Sequence, residues 1–192
     1  MNKFFLACTA LFSALTLASS PTAAQSLPDN QTLAAPEPKI LIAYYSYSGN
    51  TAAVAKVIQS EIGGDLFEIK SDTSYPDEYR LMTEQVKQQI QNGFRPQLTT
   101  SVADISAYDI VFIGSPNWWG TITPQVSSFL ETYNLSGKKI IPFITSGGGS
   151  LQNTITDLNN QCKGCNVVTD AWSGYGSQTA GLSEWLEKLG LK

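Results

Sequence analysis

A short loop rich in hydroxyl groups, from Ser46 to Thr51, joins two stretches of very different character. Residues 39–45 before it form an apolar run that is typical of a buried parallel strand. After it, apolar residues recur at helical spacing as far as Ile62. Such a junction aims backbone N–H groups and the positive end of a helix dipole at one point. The sequence therefore predicts either a phosphate-binding loop or a Ser/Gly turn that caps an ordinary helix.

The composition of this loop narrows the kind of phosphate site that it can form. It contains no Lys or Arg, and it matches neither the P-loop pattern nor the G-x-G-x-x-G pattern. Hydroxyl groups and backbone amides would be the donors, and glycine lets the backbone approach a ligand closely. The candidate residues of this neutral site are Ser46, Tyr47, Ser48, Gly49, Asn50 and Thr51.

The rest of the chain alternates apolar strand patterns with helical patterns. Further strands are predicted at 65–70, 109–114, 139–145 and 166–170. Further helices are predicted at 77–91, 124–133 and 179–189, with another that ends near 161. This alternation predicts one α/β domain over 39–192, in which a five-stranded parallel sheet has helices on both faces.

Three unusual loops follow strands in this pattern, and in a parallel sheet such loops meet at one edge, where ligands bind. Besides residues 46–51, they are 115–120 and 146–150. The candidate site residues in the second loop are Pro116, Asn117, Trp118, Trp119 and Gly120. Those in the third loop are Ser146, Gly147, Gly148 and Gly149.

The second and third loops suit a flat ring. Adjacent tryptophans in an extended segment point to opposite sides, so at least one is expected at the site, where it can stack on a planar ring. The alternative is that both anchor the core. The glycines of the third loop let backbone amides reach the edge of a ring, unless they form only a flexible turn. Together the loops predict a site for a mononucleotide with a flat heterocycle.

The amino-terminal residues resemble a secretory signal peptide. Lys3 is followed by an uncharged apolar stretch and then by small residues up to Ala24. We expect cleavage after Ala24, export to the periplasm or the medium, and a flexible linker over residues 25–38. No later run is apolar and long enough to cross a bilayer, so stable membrane insertion is not expected.

Charge and composition exclude several functions. Removal of residues 1–24 leaves 11 basic and 16 acidic side chains, a net charge of −5, which argues against nucleic acid as a partner. The chain contains no histidine, which excludes Ser-His-Asp chemistry and histidine-bearing zinc sites. We assign no catalytic residue and no metal site.

Two cysteines of the mature chain, Cys162 and Cys165, are separated by two residues. In an exported protein this spacing favours a small disulfide. A thioredoxin-like redox pair is the alternative. Against it, the cysteines follow a helix rather than begin one, so no helix amino terminus would lower the pKa of a thiolate.

The three loops together resemble those of the flavodoxin-like family over residues 39–190. Ser46-Tyr47-Ser48-Gly49-Asn50-Thr51 is similar to the family's phosphate loop, and Pro116-Asn117-Trp118-Trp119-Gly120 resembles the ring-stacking loop of a bacterial subgroup. The resemblance implies the strand order 2-1-3-4-5 and bound FMN. It also implies that the first loop holds the phosphate, that Trp118 or Trp119 covers a ring face, and that amides near Asn117 and in 147–149 contact the ring's polar edge.

Three functions follow as hypotheses. The first is an exported FMN-binding electron carrier that acts between redox partner proteins. The second is an FMN-dependent NAD(P)H:quinone-type oxidoreductase with a small quinone-like acceptor. The third is a non-catalytic module that binds another phosphorylated or aromatic ligand in the same pocket.

Overall fold

The structure, a computed structural model, describes residues 37–149 and 151–192. The strands are β1 Ile40–Tyr44, β2 Asp65–Glu68, β3 Ile110–Pro116, β4 Lys139–Ser146, β5 Asn166–Val167 and β6 Trp172–Tyr175. The helices are α1 Asn50–Ile62, α2 Tyr79–Gln91, α3 Pro124–Thr132, α4 Thr154–Gln161 and α5 Leu182–Lys188.

The strand order of the sheet is β2-β1-β3-β4-β5, which confirms the predicted order. Every strand pair in the described part of the sheet is parallel. The register places Tyr44 beside Gly114, and Pro116 beside Thr145, so that the carboxyl ends of the central strands lie close together. The loops that follow these strands therefore begin at one edge of the sheet.

The fifth position of the sheet differs from the prediction of one strand over 166–170. It holds two short strands in series, since β5 pairs with Lys139 and Ile140, and β6 pairs with β4 from Phe143 onward. The interruption lies opposite Pro142. On the side of β4 that faces the fifth position, Ile140 O accepts a hydrogen bond from Val168 N–H. Backbone groups two residues apart point to the same side of a strand, so the nitrogen of Pro142, which carries no hydrogen, also faces that side. Pro142 therefore cannot donate to the fifth strand.

Alternating side chains of the central strands build a separate core on each face of the sheet. On one face, Ile42 packs with α1 and α5, including the buried Trp185. On the other face, Leu41 packs with α3 and α4 through Phe129 and Leu158. Because β1, β3 and β4 are buried on both faces, their sequences are nearly continuous apolar runs.

The amino-terminal predictions lie outside the described residues. These are the signal peptide at 1–24 and residues 25–36 of the linker, and they stay predictions. Within the described ranges, none of the helices combines the length and the hydrophobicity that a membrane span requires.

Candidate functional site

A cavity of about 630 Å³ opens at the carboxyl edge of the sheet, where the predicted loops come together. This volume is typical of small-molecule sites, which enclose roughly 300–1,000 Å³. The cavity is lined by Tyr47, Ser48, Asn50, Thr51, Tyr79, Met82, Pro116, Asn117, Trp118, Thr145, Ser146, Gly147, Tyr175, Gly176, Ser177 and Gln178. The three loops singled out from the sequence therefore share one cavity.

The amino terminus of α1 borders this cavity, and its N-cap residue has no side chain to occupy it. Gly49 is the N-cap residue, with a φ of 85° that favours glycine, and it makes no side-chain cap bond. The first turn of α1 contains no acidic residue. Ser48 and Asn50 line the cavity beside it, and Asn50 Nδ2 donates to Ser48 Oγ over 3.1 Å. This arrangement offers neutral donors and a positive dipole end to an anion.

Two hydroxyl groups of the first loop are bonded within the protein. Ser46 Oγ accepts from the backbone N–H of Ala52 over 3.2 Å, which fixes the loop to the first turn of α1. The hydroxyl oxygens of Thr51 and Thr145 lie 2.9 Å apart in a buried hydrogen bond that joins the end of the first loop to β4. The structure thus uses Ser46 and Thr51 to hold the loop and leaves Ser48 and Asn50 at its open side.

The second loop makes a tight turn that separates the two tryptophans. Trp118 and Thr121 exchange two backbone hydrogen bonds of 3.1 Å, and both residues between them have positive φ, as in a type I′ turn. Trp118 lines the cavity, whereas Trp119 turns away to α2. The Trp119 Nε1–H donates to Thr83 O over 3.0 Å, and the Lys87 ammonium lies 4.9 Å from its ring centroid.

Three tyrosines hold the Trp118 ring through edge contacts. The ring centroids of Tyr45, Tyr47 and Tyr75 lie 5.7, 5.8 and 5.5 Å from that of Trp118. Tyr75 is itself fixed, since its hydroxyl donates to Gln89 Oε1 and accepts from Gln125 Nε2. Burial raises the pKa of Tyr45 and of Tyr75, so both phenols stay neutral at ordinary pH. The indole is thus held in place by an uncharged aromatic cluster.

The second loop is also bonded to β4, just before the third loop begins. The backbone N–H of Asn117 donates to Thr145 O over 2.7 Å, so this amide extends the sheet at the loop. Ser146 and Gly147 line the main cavity. A neighbouring cavity of about 270 Å³ is shared by Trp119, Gly120 and Gly149, together with residues of the main site. Gly148 lies against Tyr175, which comes from β6.

Comparison with known proteins identifies the family. A family model described as flavodoxin matches residues 39–189. The chain belongs to the flavodoxin family. This confirms the resemblance read from the three loops.

Solved structures of other proteins share this flavodoxin-like fold. A candidate flavoprotein from Bacteroides eggerthii is 30% identical, with a TM-score of 0.71, and the match covers 81% of this chain and 99% of that one. One from Bacteroides uniformis is 27% identical, with a TM-score of 0.71 and coverage of 78% and 98%. A flavoprotein from Lactobacillus acidophilus, solved in complex with FMN, is 27% identical, with a TM-score of 0.65 and coverage of 77% and 98%. Comparison with curated proteins gives no match.

Sequence analysis missed several residues of the site in this flavodoxin-family chain. Tyr79 and Met82 reach the cavity from α2, and Tyr175 reaches it from the end of β6 together with a fourth loop at 176–178. The signal for the fourth loop was present, because Tyr175-Gly176-Ser177 is an aromatic, glycine and hydroxyl sequence like those of the other loops. It was overlooked because the strand that precedes it was not predicted.

The electrostatic character of the site is neutral. None of the described residues that line the main cavity carries a charged side chain. A larger cavity of about 730 Å³ lies between α3 and α4, beside Cys162 and Cys165, whose sulfur atoms are paired in the structure. It includes none of the three loops, so in this flavodoxin-family protein we assign the site by the convergence of loops rather than by volume.

Proposed function

We propose that this protein binds FMN at the carboxyl edge of the sheet and transfers electrons between protein partners. One observation carries the proposal: the amino terminus of α1, with glycine at its N-cap, and the Trp118 ring line the same neutral cavity. A phosphate at one end and a flat ring at the other match these two features. The Lactobacillus acidophilus relative in complex with FMN supports the choice of ligand.

The residues of the cavity fit FMN by the chemistry of their donors. Ser48, Asn50 and the first amides of α1 would hold the phosphate, whose charge the helix dipole favours. Trp118 would cover one ring face, and the loop at 146–149 would lie beside the ring's polar edge. Bound FMN supplies electron-transfer chemistry, and the protein supplies binding, orientation and a tuned environment.

A titration of FMN against residues 25–192 tests the proposal, with two neighbouring tryptophans as matched variants. Trp118→Ala removes the ring that lines the cavity and should raise the FMN dissociation constant by about 10-fold or more. Trp119→Ala removes the same side chain from a position facing α2 and should change it less than about 2-fold, since the lost contacts lie outside the main cavity. Equal effects would contradict the assignment. An FMN dissociation constant in the millimolar range for the unchanged chain would favour another ligand.

The second candidate, an FMN-dependent NAD(P)H:quinone-type oxidoreductase, is favoured by the aromatic rim of the cavity. Tyr47 and Tyr79 are 43% and 76% exposed there, which offers room for a second flat molecule. None of the described residues that line the main cavity offers a charged group to strengthen the binding of a nicotinamide nucleotide's phosphates, which favours the carrier instead. Mixing the FMN-loaded protein with NAD(P)H and a quinone separates the two. Turnover without a partner protein contradicts the carrier.

Export forms part of the proposal. The apolar stretch before Ala24 supports it, as does the pairing of Cys162 with Cys165, since disulfides persist in oxidising compartments. Fractionation of cells that express the full chain, with amino-terminal sequencing of the product, should find a chain beginning at Gln25 outside the cytoplasm. Its cysteines should react with a thiol reagent only after reduction. A cytoplasmic chain that retains residues 1–24 would contradict the export assignment.

A further inference from the structure

The Cys162–Cys165 pair lies in the wall of the cavity of about 730 Å³ between α3 and α4. We propose that this pair is a second redox site, whose disulfide takes two electrons from the dithiol of a partner protein. The cavity has the size of a small-molecule site, so a cysteine-bearing segment of the partner can approach the two sulfur atoms. The proposal does not depend on FMN, since neither cysteine lines the main cavity.

The two cysteines differ in accessibility. Cys162 is 4% exposed and packs in the core with Phe129 and Leu158, whereas Cys165 is partly exposed. In thiol–disulfide exchange, a thiolate attacks the sulfur that it can reach and displaces the other one. The attack therefore falls on Cys165 Sγ, and Cys162 is the leaving group.

A lysine supplies positive charge beside the pair. The cysteines follow α4, so no helix amino terminus stabilises a thiolate there, but Lys163 stands between them and lines the same cavity. Within residues 37–149 and 151–192, no hydrogen bond or ion pair involves the Lys163 ammonium. The other cation of the cavity, Arg95, has Glu131 3.6 Å from its Nε. Since an ammonium beside a cysteine stabilises its thiolate, Lys163 favours both the attack and the departure of the leaving group.

Backbone hydrogen bonds hold the two cysteines together without the help of the disulfide. The N–H of Cys162 donates to Leu158 O over 2.9 Å, and the N–H of Cys165 donates to Cys162 O over 3.4 Å. The N–H of Gly137 donates to Gly164 O over 2.9 Å, which ties this turn to the segment before β4. A disulfide that closes so short a loop adds little stability on the chain-entropy model. The reduced chain therefore keeps its fold with the two thiols adjacent.

The exchange with a dithiol balances in two steps. First, a partner thiolate bonds to Cys165 Sγ, the bond between the paired cysteines breaks, and Cys162 leaves as a thiolate and takes up a proton. Second, the partner's other thiolate attacks the partner's own sulfur in the mixed disulfide, and Cys165 leaves in the same way. The partner dithiol is oxidised to a disulfide, and its two electrons and two protons end on the two cysteines.

The cysteine pair and the FMN cavity lie at opposite edges of the sheet. Cys165 precedes Asn166, which pairs with Lys139 at the start of β4, whereas Ser146 at the end of β4 begins the third loop. The 8 residues of β4 span roughly 23 Å. A partner bound at the cysteines therefore leaves the FMN cavity open.

Reduction of residues 25–192 by dithiothreitol, a small dithiol in place of the partner's, tests the inference, with the free thiols counted by labelling and mass spectrometry. The folded chain should be reduced at a rate within about 10-fold of that of the chain unfolded in urea, because Cys165 is accessible in the folded state. A disulfide that serves only the fold is protected until the chain unfolds. A folded-state rate lower by more than about 10-fold would therefore overturn the inference.

Two single-cysteine variants test which sulfur is attacked. Cys162→Ser leaves the partly exposed thiol of Cys165, and Cys165→Ser leaves the buried thiol of Cys162. The Cys165 thiol should react with a thiol reagent at least about 10-fold faster than the Cys162 thiol. Equal rates, or the reverse order, would contradict the attack on Cys165.

Charge variants test the contribution of the lysine. Lys163→Glu should slow the reduction by about 3- to 10-fold at low salt, and about 1 M salt should remove most of this effect, because salt screens charge. Lys163→Arg keeps the charge and should stay within about 2-fold of the unchanged chain. Lys56→Glu is the matched control, since Lys56 is an exposed lysine of α1 outside this cavity. Equal slowing in Lys163→Glu and Lys56→Glu would contradict a specific role for Lys163.

The results also separate this inference from the proposed function. Reduction of the pair should change the FMN dissociation constant by less than about 2-fold, because the two sites are distant. If the chain does not bind FMN but its cysteines are reduced in the folded state, the proposed function fails and the inference stands. If the chain binds FMN and the pair resists dithiothreitol until the chain unfolds, the inference is overturned and the proposed function stands.

Discussion

Gly114 shows how closely a single residue position is determined in the centre of the sheet. It lies in β3 between β1 and β4, and a Cβ added there would lie 2.2 Å from Phe143 Cζ and 2.7 Å from Tyr44 Cβ. Neither neighbour has room to withdraw, because both are buried. We expect Gly114→Ala to lower the free energy of unfolding by about 1–3 kcal/mol, as overpacking does.

Urea denaturation measures this effect against a matched glycine. A Cβ at Gly147 would meet nothing within 4 Å, and its φ is not in the left-handed region. Gly147→Ala should therefore stay within about 0.5 kcal/mol of the unchanged chain. Similar losses of unfolding free energy for Gly114→Ala and Gly147→Ala would show that the close packing around Gly114 does not exclude a larger side chain there.

At the scale of elements, one buried hydrogen bond connects α1 to β4. Thr51 and Thr145 are 1% and 3% exposed, so neither hydroxyl has water as an alternative partner. Thr51→Val keeps the shape of the side chain but leaves the Thr145 hydroxyl unpaired, which should lower the free energy of unfolding by about 1–3 kcal/mol. The double variant Thr51→Val/Thr145→Val leaves no unpaired group and should lose less than the two single variants together. Urea midpoints of the four proteins measure this coupling, and strict additivity would contradict it.

At the scale of the whole molecule, buried phenols make the stability depend on alkaline pH. Burial raises the pKa of Tyr44, Tyr45 and Tyr75 in the folded chain. Above about pH 10 the unfolded chain loses these protons while the folded chain keeps them. The unfolded state then binds fewer protons, so the free energy of unfolding falls as the pH rises. Below about pH 10 the contribution of these protonated phenols to the free energy of unfolding is fully present.

Urea midpoints measured between about pH 8 and pH 11 test this dependence. The decline should be shallower in Tyr45→Phe, because that variant has one phenol fewer to ionise on unfolding, by at most about 1.4 kcal/mol per pH unit. An identical decline in the variant and the unchanged chain would show that Tyr45 does not contribute.

Much of the fold could be predicted because its signals are local. The apolar runs of β1, β3 and β4 and the glycines after α1 lie within short stretches of sequence, so the order of elements follows from pattern alone. The parallel alternation then brings the loops after β1, β3 and β4 to one edge. The fifth strand was only partly predicted. Pro142 of the neighbouring β4 interrupts it, and this effect is not visible in the sequence of the fifth strand itself.

The sequence by itself determined which residue types gather at the carboxyl edge, since the glycines and hydroxyls of the loops and the indoles of the second loop are written in it. Only the tertiary structure decided what each of them does there. Thr51 is bonded inward because Thr145, 94 positions away, lies opposite it. Trp118 faces the cavity and Trp119 faces α2 because positive φ angles at Trp119 and Gly120 turn the chain there. Tyr175 joins the site through a strand that pairs with β4. These outcomes depend on contacts between distant segments, which no local pattern encodes.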